Sequence, residues 1–135
     1  MKHCILIGML LMLASCMTNV VVKGSVPTPI VEKMPVKVAI YYDETFKNFV
    51  HSESLDDEGK WQVELGQQNL DFFRNLMNAM FETVVEVESP DVSVGDAVQF
   101  DGIIIPSIEK YGFLTPNISG LNFFSASIHY QLILL

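Results

Sequence analysis

"GQQNLDFFRNLMNAMFETVVEVE", residues 66–88, carries two different periods in succession. With Leu70 as the zero of a wheel that turns about 100° per residue, Phe72, Phe73, Leu76, Met77, Met80 and Phe81 gather on one half. Gln67, Gln68, Asp71, Arg74, Asn75, Asn78 and Glu82 take the other half, and Asn69 is the one misfit. The spacing predicts an amphipathic helix over residues 66–82 whose broad apolar stripe needs a sheet to cover. An aromatic stripe of this kind reads as core, not as a cofactor box. Residues 83–88 then switch to β-branched alternation, which predicts a strand with almost no loop before it.

Working outward, "WQVEL" (61–65) alternates and predicts a short strand leading into the helix. Residues 43–60 are polar and read as a connection, with a short helical turn over 44–49. Before them, "VKVAIYY" (36–42) places Val36, Val38, Ile40 and Tyr42 on one face and Lys37, Ala39 and Tyr41 on the other, a strand pattern. On the other side, "SPDVSVGD" is a loop. Residues 102–111 predict a strand that is apolar on both faces at Ile103–Ile105, and therefore central. Pro106 cannot donate a ladder bond, so a bulge or break is expected there. "FFSASIHYQLILL" (123–135) predicts a long strand, with Phe124, Ala126, Ile128, Tyr130, Leu132 and Leu134 on one face and Ser125, Ser127, His129 and Gln131 on the other.

These elements define an α+β fold: a two-layer sandwich with a mixed, mostly antiparallel sheet and one amphipathic helix on one face. Strands lie about 4.8 Å apart and a helix is about 10 Å across. One helix therefore covers roughly two strands, and part of the apolar face is left bare. The last residues, "LILL", stand mid-strand. Two expectations follow: an incomplete domain that continues beyond Leu135, which we favour, or a partner such as a second copy on the open face.

The other end of the chain speaks about location. Its apolar run, residues 5–14, is half the roughly 20 residues that a spanning helix needs. A short positive start, an apolar centre and small residues before Cys16 instead have the build of a secretory signal. Leu13-Ala14-Ser15-Cys16 resembles the lipobox of bacterial lipoproteins. The resemblance implies cleavage between Ser15 and Cys16, acylation of Cys16, and attachment to the lipid bilayer through that residue. With Met17 and not Asp after the cysteine, the family's sorting rule implies the outer membrane, on its periplasmic face. An ordinary cleavable signal with an incidental cysteine is the alternative. The chain thus divides into a signal peptide (1–15), a lipidated cysteine with a Pro-containing tether (16–35) and a small α/β domain (36–135). Within the tether an edge strand over 20–22 is the competing reading.

The whole chain carries 8 basic and 16 acidic residues, a formal charge of −8. That balance disfavours nucleic acid and electrostatic binding to anionic lipid. Cys4 would leave with the signal and Cys16 would be consumed by lipid. No thiol would remain for a disulfide, a nucleophile or a metal.

"VKVAIYYDETFKNFV", the 61–88 stretch, "DGIIIPSIEKYGF" and "FFSASIHYQLILL" together resemble an uncharacterised group of proteobacterial lipoproteins. The layout is also similar to the small α/β domains of lipoproteins that activate penicillin-binding proteins, and to the N-terminal domain of the Tol-system propeller protein. Those domains serve protein contacts, which implies a non-catalytic role here.

The residues themselves show little chemistry. In "HSESLDDEGKW" an EF-hand frame with Gly59 at position six would put Leu65 where the bidentate Glu belongs, so that reading fails. No G-x-S-x-G elbow, phosphate loop or dinucleotide-binding glycine pattern occurs. We therefore expect no catalytic residue, metal or cofactor. The expectation is a periplasmic interaction or envelope-assembly module that meets an envelope protein or a second copy. Tyr41, Tyr42, Tyr111, Phe113 and Phe124 are its candidate contact residues, and core burial explains most of them equally well. The alternative is an auxiliary lipoprotein of an export or lipid-transport system that binds an apolar ligand on the bare sheet face.

Overall fold

The computed structural model describes residues 17–21, 27–55, 59–91 and 100–135. The signal segment, Ser15 and Cys16 lie outside these residues, as do residues 22–26, 56–58 and 92–99. The class is the expected one, α+β with one main helix. The described residues form seven strands divided between two sheets.

The larger sheet is built on β2 (Met34–Ile40), with β5 (Phe81–Glu86) and β6 (Gly102–Leu114) parallel to it on either side. β7 (Ser125–Leu134) completes the order β5-β2-β6-β7 and runs antiparallel to β6. The smaller sheet has the order β1-β4-β3, from β1 (Met17–Val21), β4 (Gly59–Glu64) and β3 (Val50–Leu55). Helix α1 (Glu44–Lys47) follows β2, α2 (Gly66–Met80) joins β4 to β5, and α3 (Pro116–Ser119) sits in the turn between β6 and β7. The two antiparallel ladders, β3–β4 and β6–β7, are the longest pairings.

Two of these strands differ from the sequence reading. Val50–Leu55 lies within the expected polar connection but pairs along its whole length with β4. Its alternation is of polar residues, so it lacks the apolar signal that marks a strand. Met17–Val21, at the start of the expected tether, is an edge strand in parallel register with Lys60–Glu64. Asn19 Nδ2 donates to Glu64 Oε1 at 3.0 Å across that pair.

Helix α2 ends at Met80, two residues before the expected end, because Phe81 is already extended (φ −117°, ψ 148°) while its amide still bonds Met77 O. Asn69, Phe73 and Met77, spaced by four, are the most buried side chains of its inner face. Asn69 is no longer a misfit: it is 1 % exposed and accepts a 2.8 Å hydrogen bond from Tyr130 Oη on β7. The main core holds Val38, Ile40, Tyr42, Phe46, Phe73, Met77 and Ile104. Full burial of each large side chain stabilises by about 1.5–3 kcal/mol.

Pro106 neither breaks nor bulges β6. Ile104 O accepts from Tyr41 N at 3.0 Å, so the nitrogen of Pro106, two residues on, faces the same side. In a parallel ladder that position would donate to Tyr41 O, one residue past β2, so the β2 ladder stops there while the pairing of β6 with β7 runs on. The irregularity lies further along, where the register passes from Ile108↔Tyr130 to Lys110↔His129 and leaves Glu109 unpaired. One extra residue reverses which side chains face inward. Ile104 and Ile108 point into the core under α2, and beyond the bulge Tyr111 and Phe113 point to that same face. β7 keeps its alternation, with Tyr130 in the first core and Ile128 in the second. The β6–β7 hairpin is thus a common floor, roofed by α2 on one half and by the smaller sheet on the other.

Candidate functional site

β7 is the free edge of the larger sheet. Ile103 and Leu135 exchange both backbone hydrogen bonds at 3.0 Å, and the ladder continues through Ile133 and Gln131, then His129 after the bulge. In an antiparallel ladder alternate residues bond the neighbour. Ala126, Ile128, Tyr130, Leu132 and Leu134 therefore turn their N–H and C=O groups away from β6, and no described strand lies beyond.

The C-terminal half of this edge is apolar and open. Leu132, Leu134 and Leu135 are 52 %, 72 % and 64 % exposed. With Val36, Phe81 and Ile104 the first two line a groove of about 390 Å³ on the face that α2 covers elsewhere. This is the bare portion of the sheet that one helix is too narrow to roof.

The opposite edge is charged. β5 carries Glu82 and Glu86, and Arg74 on α2 holds Glu86 in a two-point pair at 2.7 and 2.9 Å. The guanidinium hydrogen bonds lower the Glu86 carboxyl pKa. Charges on an edge discourage pairing with another strand.

A second feature lies under the smaller sheet. Trp61 stands 5.8 Å from Phe113 and 5.5 Å from Phe124, and the two phenyl rings stack at 5.9 Å. These rings, Tyr111 and Val20 line a cleft of about 200 Å³. Trp61 Nε1 and Tyr111 Oη are buried without a hydrogen-bond partner among the described residues. Burial, and then the charge of Glu53, raise the Tyr111 phenol pKa.

Of the contact residues expected from sequence, Tyr111, Phe113 and Phe124 meet in this cleft. Phe124 is 54 % exposed and Phe113 is buried. Tyr41 is half-buried at the end of β2. Tyr42 is 3 % exposed inside the main core, stacked on Phe46 at 5.7 Å, so its side chain is not presented at the surface. Trp61 and the Leu132–Leu135 edge were not among the expected contacts. Trp61 was visible only as part of a strand pattern, and "LILL" only as an unfinished one.

Tyr42 also sets a test of the core. Its buried hydroxyl has no partner among the described residues, and burial, then the nearby Glu86 charge, push its pKa up to about 12. A raised phenol pKa gives stability that is full below the ordinary value of 10 and lost as pH rises toward 12. Tyr42→Phe is expected to leave neutral-pH stability unchanged or raise it by about 1 kcal/mol. It should also flatten the fall in urea midpoint between pH 10 and 12. Tyr111 and Tyr130, which burial also shifts upward, retain the remainder.

Among the described residues no three or more His, Cys, Asp or Glu side chains stand together as metal ligands. Glu53, from the acidic loop, faces His51 at 3.3 Å, and residues 56–58 lie outside the described set. No described helix is long and apolar enough to cross a membrane. No family model, curated protein or solved structure matches the chain.

Proposed function

We propose that this chain is a periplasmic interaction module, held at the outer membrane by lipid on Cys16, that docks another polypeptide along the β7 edge. The observation that carries this reading is the edge itself: ten residues with no Asp, Glu, Lys or Arg, and outward-facing backbone groups beside an apolar groove. An unguarded edge is a template for strand addition, with main-chain bonds for affinity and a neighbouring groove for side-chain specificity. The Leu-Ala-Ser-Cys motif supports the membrane attachment, since each buried CH₂ of an acyl chain adds about 0.8 kcal/mol.

A photo-crosslinking residue at Leu132 in living cells is expected to give a discrete protein adduct. The same probe at Glu82, on the charged edge, should give none. Equal labelling at both positions, or no adduct at Leu132, would count decisively against the docking role.

The groove itself favours a second reading, binding of an apolar ligand. Its volume falls in the range of small-molecule sites, about 300–1,000 Å³. Lipid that copurifies with the chain and is displaced by Leu132→Lys would support that reading.

A further inference from the structure

We infer that the polypeptide docked on β7 is a second copy of this chain, paired antiparallel about a two-fold axis to join two four-stranded sheets into one of eight strands. This rests on the docking reading above and names its partner.

The first argument is the symmetry of the edge. The residues with outward-facing backbone groups are Ala126, Ile128, Tyr130, Leu132 and Leu134, evenly disposed about Tyr130. A copy reversed about Tyr130 sets Ala126 opposite its Leu134, Ile128 opposite its Leu132, and Tyr130 opposite its own counterpart. Each of those N–H groups then meets a carbonyl, because antiparallel pairs exchange both bonds. A two-fold interface requires a patch of this self-complementary kind.

The second argument is where the exposed apolar side chains fall. Phe123 and Phe124 are exposed just before β7, and Leu132, Leu134 and Leu135 at its far end. Reversal brings the leucine end of one copy alongside the phenylalanine end of the other. In this register Leu134 of one copy lies opposite Ala126 of the other and diagonal to its Phe124, within reach of an aromatic side chain.

Charge gives the third argument. Two copies each carrying −8 repel over most of their surface. The β5 edge carries Glu82 and Glu86, the β3 edge carries Glu53, and the uncharged β1 edge is only five residues long. β7 is the longest edge and carries no acid or base other than His129. Like-charged copies can approach there without setting one carboxylate against another.

The test is the molar mass of the full chain in mild detergent, by native mass spectrometry, with paired charge substitutions. Leu134 and Ala126 are both exposed, so Leu134→Lys and Ala126→Glu leave the core intact, as an unchanged urea midpoint would verify. The chain should weigh twice its monomer, and each single substitution should shift at least nine-tenths of it to monomer. The double variant should return to dimer, since position 134 of each copy then faces position 126 of the other. A monomeric parent chain, or a dimer indifferent to both single substitutions, overturns the inference. So do single variants that dissociate and a double variant that stays apart. If the monomer still crosslinks through Leu132 to an envelope protein, the second-copy partner is wrong and the docking module stands. If position 132 crosslinks to nothing, both fail.

Discussion

Phe46→Ala is expected to lower the unfolding free energy by about 3–5 kcal/mol, a large part of the stability of a domain this size. Phe46 belongs to a helix of only four residues, yet it is less than 2 % exposed. It stacks on Tyr42 of the segment after β2 at 5.7 Å and meets Phe73 of α2 edge-on at 5.4 Å. Tyr130 of β7 lies 6.4 Å away. Three separate segments converge on this ring, and neighbours fixed apart cannot collapse into the space that its loss would leave. The local conformation does not depend on the ring, because Asp43 Oδ1 caps α1 by accepting from the Phe46 amide. Equilibrium urea unfolding checks the number, with half-buried Phe72→Ala as the comparison, expected to cost less than half as much. A loss below about 1 kcal/mol for Phe46→Ala would mean that α1 does not pack as described.

Gly66→Ala is expected to destabilise by about 3 kcal/mol, the upper end for an overpacked site. Helix propensity alone gives the opposite sign, since Ala in a helix is better than Gly by about 1 kcal/mol. The conflict is resolved by space. A Cβ at residue 66 would overlap the carbonyl oxygen of Lys47, with the carbonyl carbon at 2.7 Å and Phe49 N at 3.1 Å. All three are backbone atoms, so no rotamer change relieves the clash. The approach is also functional in the fold. Phe49 O accepts from both Leu65 N, at 3.1 Å, and Gly66 N, at 3.2 Å. Those bonds supply the start of α2, whose first turn has no side-chain cap. Displacing the α1–β3 link loses them together. Unfolding midpoints for Gly66→Ala and for Ala79→Gly, a helix position outside this contact, would separate the two effects. Propensity predicts opposite signs for this pair; the structure predicts destabilisation in both.

The groove and the β7 edge show how far pattern reading reaches. The width of one helix against several strands already implied a bare apolar face, and "LILL" already stood out as an unfinished strand. Where the bare patch falls could not be read, because it depends on which strands flank β2. The aromatic cleft was half legible. Tyr111, Phe113 and Phe124 stand out in the sequence as candidate contacts, but Trp61 joins them only because β4 lies across the outer half of the β6–β7 hairpin. Tyr42 reads as a contact residue or a core residue equally well, because tyrosine alternation at a strand end looks the same whether α1 covers it or not.

What the sequence determined by itself is what short-range periodicity encodes: the amphipathic helix after Gly66, the strands read at 36–42, 83–88, 102–111 and 123–135, and hence the α+β class. Apolar spacing of 3.6 or 2 fixes those elements, since each must bury one stripe or face. Only the tertiary structure decided the rest. β1 and β3 exist as strands through pairing with β4, not through their own apolar pattern. The extra residue Glu109 reverses the inward face of β6, and a one-residue irregularity leaves no mark in composition. Asn69 is buried because Tyr130, sixty-one residues away, supplies its hydrogen bond. Each of these is settled by a partner distant along the chain, and local propensity carries no information about which distant partner will arrive.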